Sequence, residues 1–367
     1  MTSGMKRSVR KHFREYLLGL MIPPEIRRKI ISNISELVSE YDQITVNRSF
    51  HSVDSDVLEK NYVTLLKSII AQHRMQFIGD YTLLEHPGSK VMESVRWFYE
   101  GKDKNNVLAH QFATSGLYDM DMDIFYPFLT RLYRKMDYFP DDMKDDFMTK
   151  IQIMSKIFTI AEEDFNVTGK TIDSWYSSAK FLEDHFVTEL KIDRKVSFTD
   201  LGRMINQNRD LFYTMAEILE SIFLFYGKDT ATLKDFQLQK EFHALLTNGA
   251  AVYLMVLYNP ETGRKKFLIS DYLSGDDMIK AWNHRWSIET LHNDVKDLGI
   301  GEYQVRRREG SLIQARTSFA AYTLLSIMMR ESQKLFGKLL KTIGECSRSI
   351  KEFLILKKNY KYKLFSG

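Results

Sequence analysis

The hydrophobic period of this chain changes at Met75, and that change limits what it can fold into. Between residues 8 and 72, apolar residues recur every three or four positions in FREYLLGLM, IRRKIISNISELVSEY and VLEKNYVTLLKSIIAQ. This is the spacing of amphipathic helices. Pro23-Pro24 separates the first two, and Ser52 or Asp54 can cap the third. Beyond Met75 the pattern breaks into short aromatic-rich runs, MQFIGDYTLL, SVRWFYEG and NNVLAHQFATS, interrupted by His86-Pro87-Gly88 and Gly101-Lys102-Asp103. They read as three consecutive strands joined as antiparallel hairpins. A helix is predicted from Asp141-Asp142 through MKDDFMTKIQIMSKIFTIAEE. NVTGKTID then reads as a strand ending at Asp173, WYSSAKFLEDH as a helix and FVTELK as a strand.

Three antiparallel strands, a helix, a strand, a helix and a strand is the element order of an RNase H-like α/β core. Residues 192–275 read as an insertion ahead of the last core helix. It has a helical stretch (LGRMINQNRDLFYTMAEILESIFLFY) and then a hairpin, AAVYLMVLY and KKFLISDY around an Asn259-Pro260-Glu261-Thr262-Gly263 turn. Ser274 or Asp276 can cap the following helix. The expected organisation is a helical N-terminal domain at 1–73, the RNase H-like mixed-sheet core at 74–191 and 276–345 with the insertion between, and a basic tail at 346–367.

The net charge of +4 conceals an uneven distribution. Residues 1–30 carry eight Lys/Arg against two Glu, and Tyr303 to the end carries fourteen against four. Residues 119–164 hold eleven acids and six bases. Basic ends around an acidic middle suit a polyanionic partner. Lys6, Arg7, Arg10, Lys11, Arg306, Arg307 and Arg308 are the candidate contacts, with a solvated surface charge as the plain alternative for each. Cys346 is the only cysteine, which excludes an internal disulfide framework and cysteine-rich zinc sites and fits a reducing compartment. No apolar stretch reads as a signal peptide or a membrane span, so a cytoplasmic protein with no membrane association is expected.

AWNHRWSIETLHNDVK carries the most pointed pattern. Trp282, Arg285, Glu289 and Lys296 are separated by three, four and seven residues, so on one helix they share a stripe. Asp80, inside an apolar strand, needs a partner or a metal, since a bare buried charge is costly. With Asp173 and Glu289 it makes three carboxylates from distant segments, with cations beside the last. Two divalent ions held by such a set suit phosphodiester chemistry, and hard ions such as Mg²⁺ take oxygen ligands. Arg285 can clamp a phosphate, Lys296 can add a point charge and Trp282 can stack on a base or sugar. Plainer readings stand beside these: an Arg285–Glu289 surface pair, Trp282 and Trp286 as core aromatics, and Asp173 as a helix cap. His292 reads as a solvent-facing or structural histidine rather than a DNA contact.

These motifs resemble those of DDE insertion-sequence transposases, the branch with the signature Y-x2-R-x3-E-x6-K. Here that signature reads Trp282, Arg285, Glu289, Lys296, with tryptophan for tyrosine. Asp80-Tyr81-Thr82 is similar to the first-aspartate motif, though related sequences often carry a second aspartate at the Tyr81 position. Asp173-Ser174-Trp175-Tyr176 is similar to the second motif, and LGIGEYQVRRREGSL resembles the segment after the catalytic helix. The resemblance implies catalysis and metal binding by Asp80, Asp173 and Glu289. It also implies two Mg²⁺ ions, with Mn²⁺ substituting, and double-stranded DNA as partner. Water would free a 3′-hydroxyl at the element's end, and that hydroxyl would attack target DNA. A homodimer on DNA is expected, and no nucleotide cofactor. A non-catalytic DNA-binding protein derived from a transposase, and an RNase H-like nuclease without strand transfer, are the alternatives.

Overall fold

The computed structural model describes residues 2–22, 29–38, 43–89, 91–101, 103–174, 185–198, 213–214, 236, 238–302 and 306–365. Its helices are α1 (Arg7–Met21), α2 (Ile31–Val38), α3 (Gln43–His51), α4 (Ser55–Ile70), α5 (Lys150–Asp164), α6 (Gly275–His284), α7 (Trp286–Asp297), α8 (Arg308–Arg330), α9 (Ser332–Phe336) and α10 (Ile343–Phe365). Its strands are β1 (Arg74–Glu85), β2 (Arg96–Glu100), β3 (Asn105–Asp119), β4 (Ile124–Tyr133), β5 (Asn166–Ile172), β6 (Phe186–Glu189), β7 (Lys195–Phe198), β8 (Tyr213–Thr214), β9 (Leu238–Leu246), β10 (Ala251–Tyr258) and β11 (Lys265–Ser270). The chain forms two compact units. One contains Met1–His73, Tyr81–Ile157 and Ile288–Gly367, the other Arg74–Asp80 and Phe158–Ser287.

In the first unit the N-terminal helices form where the three-to-four period predicts them. Leu58, Tyr62, Leu66 and Ile70 are the buried stripe of α4. Asp54 is its cap, accepting from the Asp56 and Val57 amides at 2.9 and 3.1 Å. Ser52 instead bonds back to the Ser49 carbonyl. Helix α3 was not expected from the sequence. Helix α8 is buried on almost every side from Gly310 to Ser326, the pattern of a central core helix. Tyr16 of α1 bonds Gln314 of α8. The Tyr62 hydroxyl of α4 donates to the Pro127 carbonyl at 2.5 Å and meets Thr323 at 2.7 Å. The helices read as residues 1–73 therefore pack within the same unit as α8 and β4.

Strands β2 and β4 both pair antiparallel with β3. The sequence reading missed β4 because Pro127 interrupts IFYPFLTRLY, and proline is expected only at edges or bulges. The β3–β4 register shifts between Thr114 and Gly116, opposite Pro127, so the strand tolerates the missing amide there. The helix expected from Asp141 begins at Lys150 instead. Asp141–Asp146 is a 3₁₀ turn. Thr149 and Gln152 form a reciprocal cap, each side chain accepting from the other's amide at 2.8 and 3.2 Å. The stretch read as a basic tail is helix α10. Its start is fixed by Glu345 donating its amide to Thr342 and accepting from the Lys341 amide.

In the second unit β1 pairs parallel with β5, and β5 parallel with β6. Strand β11 is antiparallel to β6, and β10, β9, β7 and β8 continue the order outward. Residues read as an insertion thus add strands β7–β11 to this sheet. The expected β10–β11 hairpin is present, with Gly263 at φ 69° and Asn259 Oδ1 accepting from the Glu261 and Thr262 amides. The helices read at WYSSAKFLEDH and in 201–226 lie outside the described residues, apart from His185 and β8. The element order is that of the expected α/β, RNase H-like mixed-sheet class. Among the described residues no helix is long and apolar enough to cross a membrane.

Candidate active site

The parallel β1–β5 register runs through Phe77↔Lys170 and Ile78↔Thr171 to Gly79↔Ile172. The next residue along each chain is an aspartate, Asp80 on β1 and Asp173 just past β5. Neighbouring strands lie about 5 Å apart, so continuing the register by one residue brings the two aspartates to matching positions on adjacent strands. Both residues are half-buried. Side chains alternate along a strand, so Asp80 shares a face with Gln76 and Ile78, and Asp173 with Thr171.

That face is covered by α6. Gln76, only 2% exposed, donates Nε2 to the Thr171 hydroxyl and, at 2.9 Å, to the Ala281 carbonyl. Its Oε1 lies 2.6 Å from His284 Nδ1. One amide therefore joins β1, β5 and α6 beneath the aspartate pair. The opposite face of β1 packs on α5, where the Phe77 and Phe158 rings meet edge to face with centroids 5.1 Å apart.

The sequence pattern treats Trp282 to Lys296 as one helix. The structure breaks it at Arg285, which caps α6 in a helical backbone conformation before α7 begins at Trp286. Ser274, one of the two caps expected, occupies the N-cap position of α6. Ser274 makes no side-chain cap bond, and Glu241 accepts from the Gly275 amide in its place. Trp282 is 5% exposed and packs among Val187, Met255, Leu257, Leu268 and Met278. The Arg285 guanidinium lies 4.8 Å from the ring centroid, and the Lys266 ammonium 5.1 Å. A ring so covered is not presented to a base, so the stacking expected of Trp282 is replaced by a supporting contact to Arg285. It is Trp286 that is exposed, at 65%.

Glu289 and Lys296 belong to the other unit, on α7, half-buried and exposed respectively. His292 on the same helix bonds the Thr114 hydroxyl at 2.8 Å, the structural one of the two plain roles read for it. Asp294 carries a carboxyl pushed up to about 6 by burial and by Asp297. Tyr81, at the position where related sequences often carry an aspartate, donates its hydroxyl to the Lys150 carbonyl at 2.9 Å.

Among the described residues no three His, Cys, Asp or Glu side chains lie close enough to hold a metal ion. What one unit does bring together is the aspartate pair, a donor set of hard oxygens that fits Mg²⁺ or Mn²⁺. Of the basic candidates, Lys6, Arg7, Lys11, Arg306 and Arg307 are exposed. Arg10 is half-buried and donates to the Met5 carbonyl at 3.2 Å, a structural bond at the start of α1. Arg308 donates its amide to Glu93, whose carboxyl is thereby held below its ordinary range.

Sequence reasoning passed over Gln76 and Thr171. The signal was there: a lone amide in MQFIGD, on the same strand face as Asp80, has to find partners if that face is buried.

The family model described as archaeal putative transposase ISC1217 matches residues 7–332 of the chain. None of the curated proteins compared with it matches.

Proposed function

We propose that this chain, which belongs to the family of the archaeal putative transposase ISC1217, cuts DNA at the ends of an insertion sequence and joins the freed 3′-hydroxyls to target DNA. Transposase is the function of its family, and the steps named here are our reading of how the chain performs it. The observation that carries this reading is the β1–β5 register, which brings Asp80, within β1, and Asp173, just past β5, to matching positions on parallel neighbours.

Asp80, Asp173 and Glu289 are the carboxylates on which we place catalysis and metal binding. Two Mg²⁺ ions, once bound, would activate the attacking oxygen and neutralise charge at the phosphate. The chain's own groups do the rest. Arg285, supported by the Trp282 ring, offers a planar fork to a phosphate oxygen pair. Lys296 adds a charge on an exposed turn of α7. Gln76 and Thr171 hold β1, β5 and α6 in register, so the aspartates keep their spacing. Lys6, Arg7, Lys11, Arg306 and Arg307 bind the DNA backbone, and two copies of the chain bridge the two ends.

The test is cleavage of a labelled duplex carrying the element's own ends, with Mg²⁺, Mn²⁺ or EDTA, by the wild type and Glu289→Ala. Metal-dependent release of a 3′-hydroxyl, lost in the variant, supports the reading. Binding without cleavage by either protein would leave a DNA-binding relic as the better account. Cleavage that never yields joined products would leave a nuclease without strand transfer.

A further inference from the structure

A second site lies wholly within the first unit, which does not contain Asp80 or Asp173. A cavity of about 520 Å³ opens between α3 and the segment entering α8. Cavities of roughly 300–1,000 Å³ take small ligands. Its walls are chemically distinct. Gln43, Asn47 and His51 line it from α3. They recur at intervals of four, so they share one helical face, and all three are exposed. Arg306 and Arg307 line it from the α8 side, also exposed. Phe50 also lines it, its ring buried against Tyr16 at 5.0 Å and His51 at 5.8 Å between centroids. Lys29 also lines it, its buried ammonium donating to the Leu20 carbonyl, and Glu309 is the one carboxylate among the described residues that line the cavity.

Each wall selects part of one kind of ligand. Guanidinium forks match phosphate oxygens. Side-chain amides present paired donors and acceptors, which is what the edge of a nucleobase offers in return. A bare anion would leave the amide stripe unused, and an apolar ligand would leave the guanidiniums unpaired. We propose that this cavity binds a nucleoside phosphate, either as one unpaired unit of a DNA strand or as a free nucleotide. The proposal does not depend on Asp80, Asp173 or Glu289.

The experiment is calorimetric titration of the full chain with four probes: the deoxynucleoside 5′-monophosphates, a 5′-phosphorylated tetranucleotide, inorganic phosphate and the deoxynucleosides. Two variants are titrated beside the wild type, Arg306→Gln with Arg307→Gln, and Asn47→Leu, all at exposed positions. The expected result is that a mononucleotide or the tetranucleotide binds more tightly than phosphate or nucleoside, and at least tenfold more weakly in both variants. Saturation by mononucleotide identifies a free-nucleotide site, and binding of the tetranucleotide alone identifies a strand unit. Several results overturn the proposal. These are no binding of either nucleotide probe, phosphate binding as tightly as nucleotide, or an Asn47→Leu protein that binds like wild type. The last would mean that surface charge alone attracts the ligand.

Discussion

Replacing Gln76 by methionine keeps the volume and shape of the side chain and removes its amide. In the folded protein that amide serves the Thr171 hydroxyl, the Ala281 carbonyl and His284. The position is 2% exposed, and Thr171 is fully buried, so water does not readily take over. The Thr171 hydroxyl retains a long contact to the Ala281 carbonyl at 3.4 Å, which offsets part of the loss. That leaves about two groups short of a partner, each costing about 1–3 kcal/mol. A destabilisation of about 2–4 kcal/mol is therefore expected for Gln76→Met, read as an earlier urea midpoint by tryptophan fluorescence. Because Gln76 lies four residues before Asp80 on the same strand face, cleavage should fall more than DNA binding. The reasoning is refuted if Gln76→Met unfolds at the wild-type midpoint, or if it is destabilised but cleaves at the wild-type rate once folded.

Further outcomes follow from other parts of the molecule. Glu59 receives both guanidinium nitrogens of Arg131 at 2.5 and 2.6 Å and Arg316 at 2.7 Å. Glu59→Ala strips Arg131 of its carboxylate and leaves Arg316 with its longer pair to Asp56 at 3.3 Å, and allowing for partial exposure it should cost about 2–4 kcal/mol, more than Glu59→Gln, by chemical denaturation. Asp294 has a folded pKa of about 6, above its unfolded value, so the native state binds the extra proton and stability falls as pH rises from about 4 through 6. His86 is lowered to about 4 by burial and by His110, so its contribution runs the other way, gained as pH rises through the same window and complete above about 6.5. Asp294→Asn should therefore be more stable at pH 7.5, by about 1 kcal/mol after allowance for solvent screening, and should show a steeper gain between pH 4 and 6.5. DNA affinity should fall with salt by about 0.9 log units per phosphate contact per log unit of salt, and each of Arg306→Gln and Arg307→Gln should lower that slope by roughly one if it removes a contact.

The elements that could be read from the sequence are those whose signal is local. The α4 period and its Asp54 cap, the β5 strand ending at Asp173 and the Asn259–Gly263 hairpin turn each formed where the residues place them. Strand β4 was hidden because its proline is acceptable only opposite a bulge in β3, a pairing that no local pattern reveals. The start of α5 was misplaced because a run of aspartates resembles a helix start. The reciprocal Thr149–Gln152 cap, eight residues further on, is what stops fraying there. At the site, the spacing of Arg285 and Trp282 was legible, but the role of Trp282 was not. Whether an aromatic faces solvent or core depends on Val187, Met255 and Leu268, which come from three other strands. Asp80 and Asp173 could be named from their motifs. Their adjacency rests on a parallel register across 93 residues of chain, and the pairs from Arg74↔Asn166 to Gly79↔Ile172 supply it.

The most direct measurement compares Mg²⁺-dependent cleavage of element-end DNA by wild type, Asp80→Asn and Asp173→Asn, with binding of the same DNA measured in parallel. Each substitution keeps the side-chain shape and removes one negative oxygen donor. The account predicts that both variants bind the DNA as the wild type does and lose cleavage by about a thousandfold or more, about 4 kcal/mol of transition-state stabilisation. Cleavage at the wild-type rate by either variant would contradict the claim that Asp80 of β1 and Asp173, just past β5, form the catalytic pair.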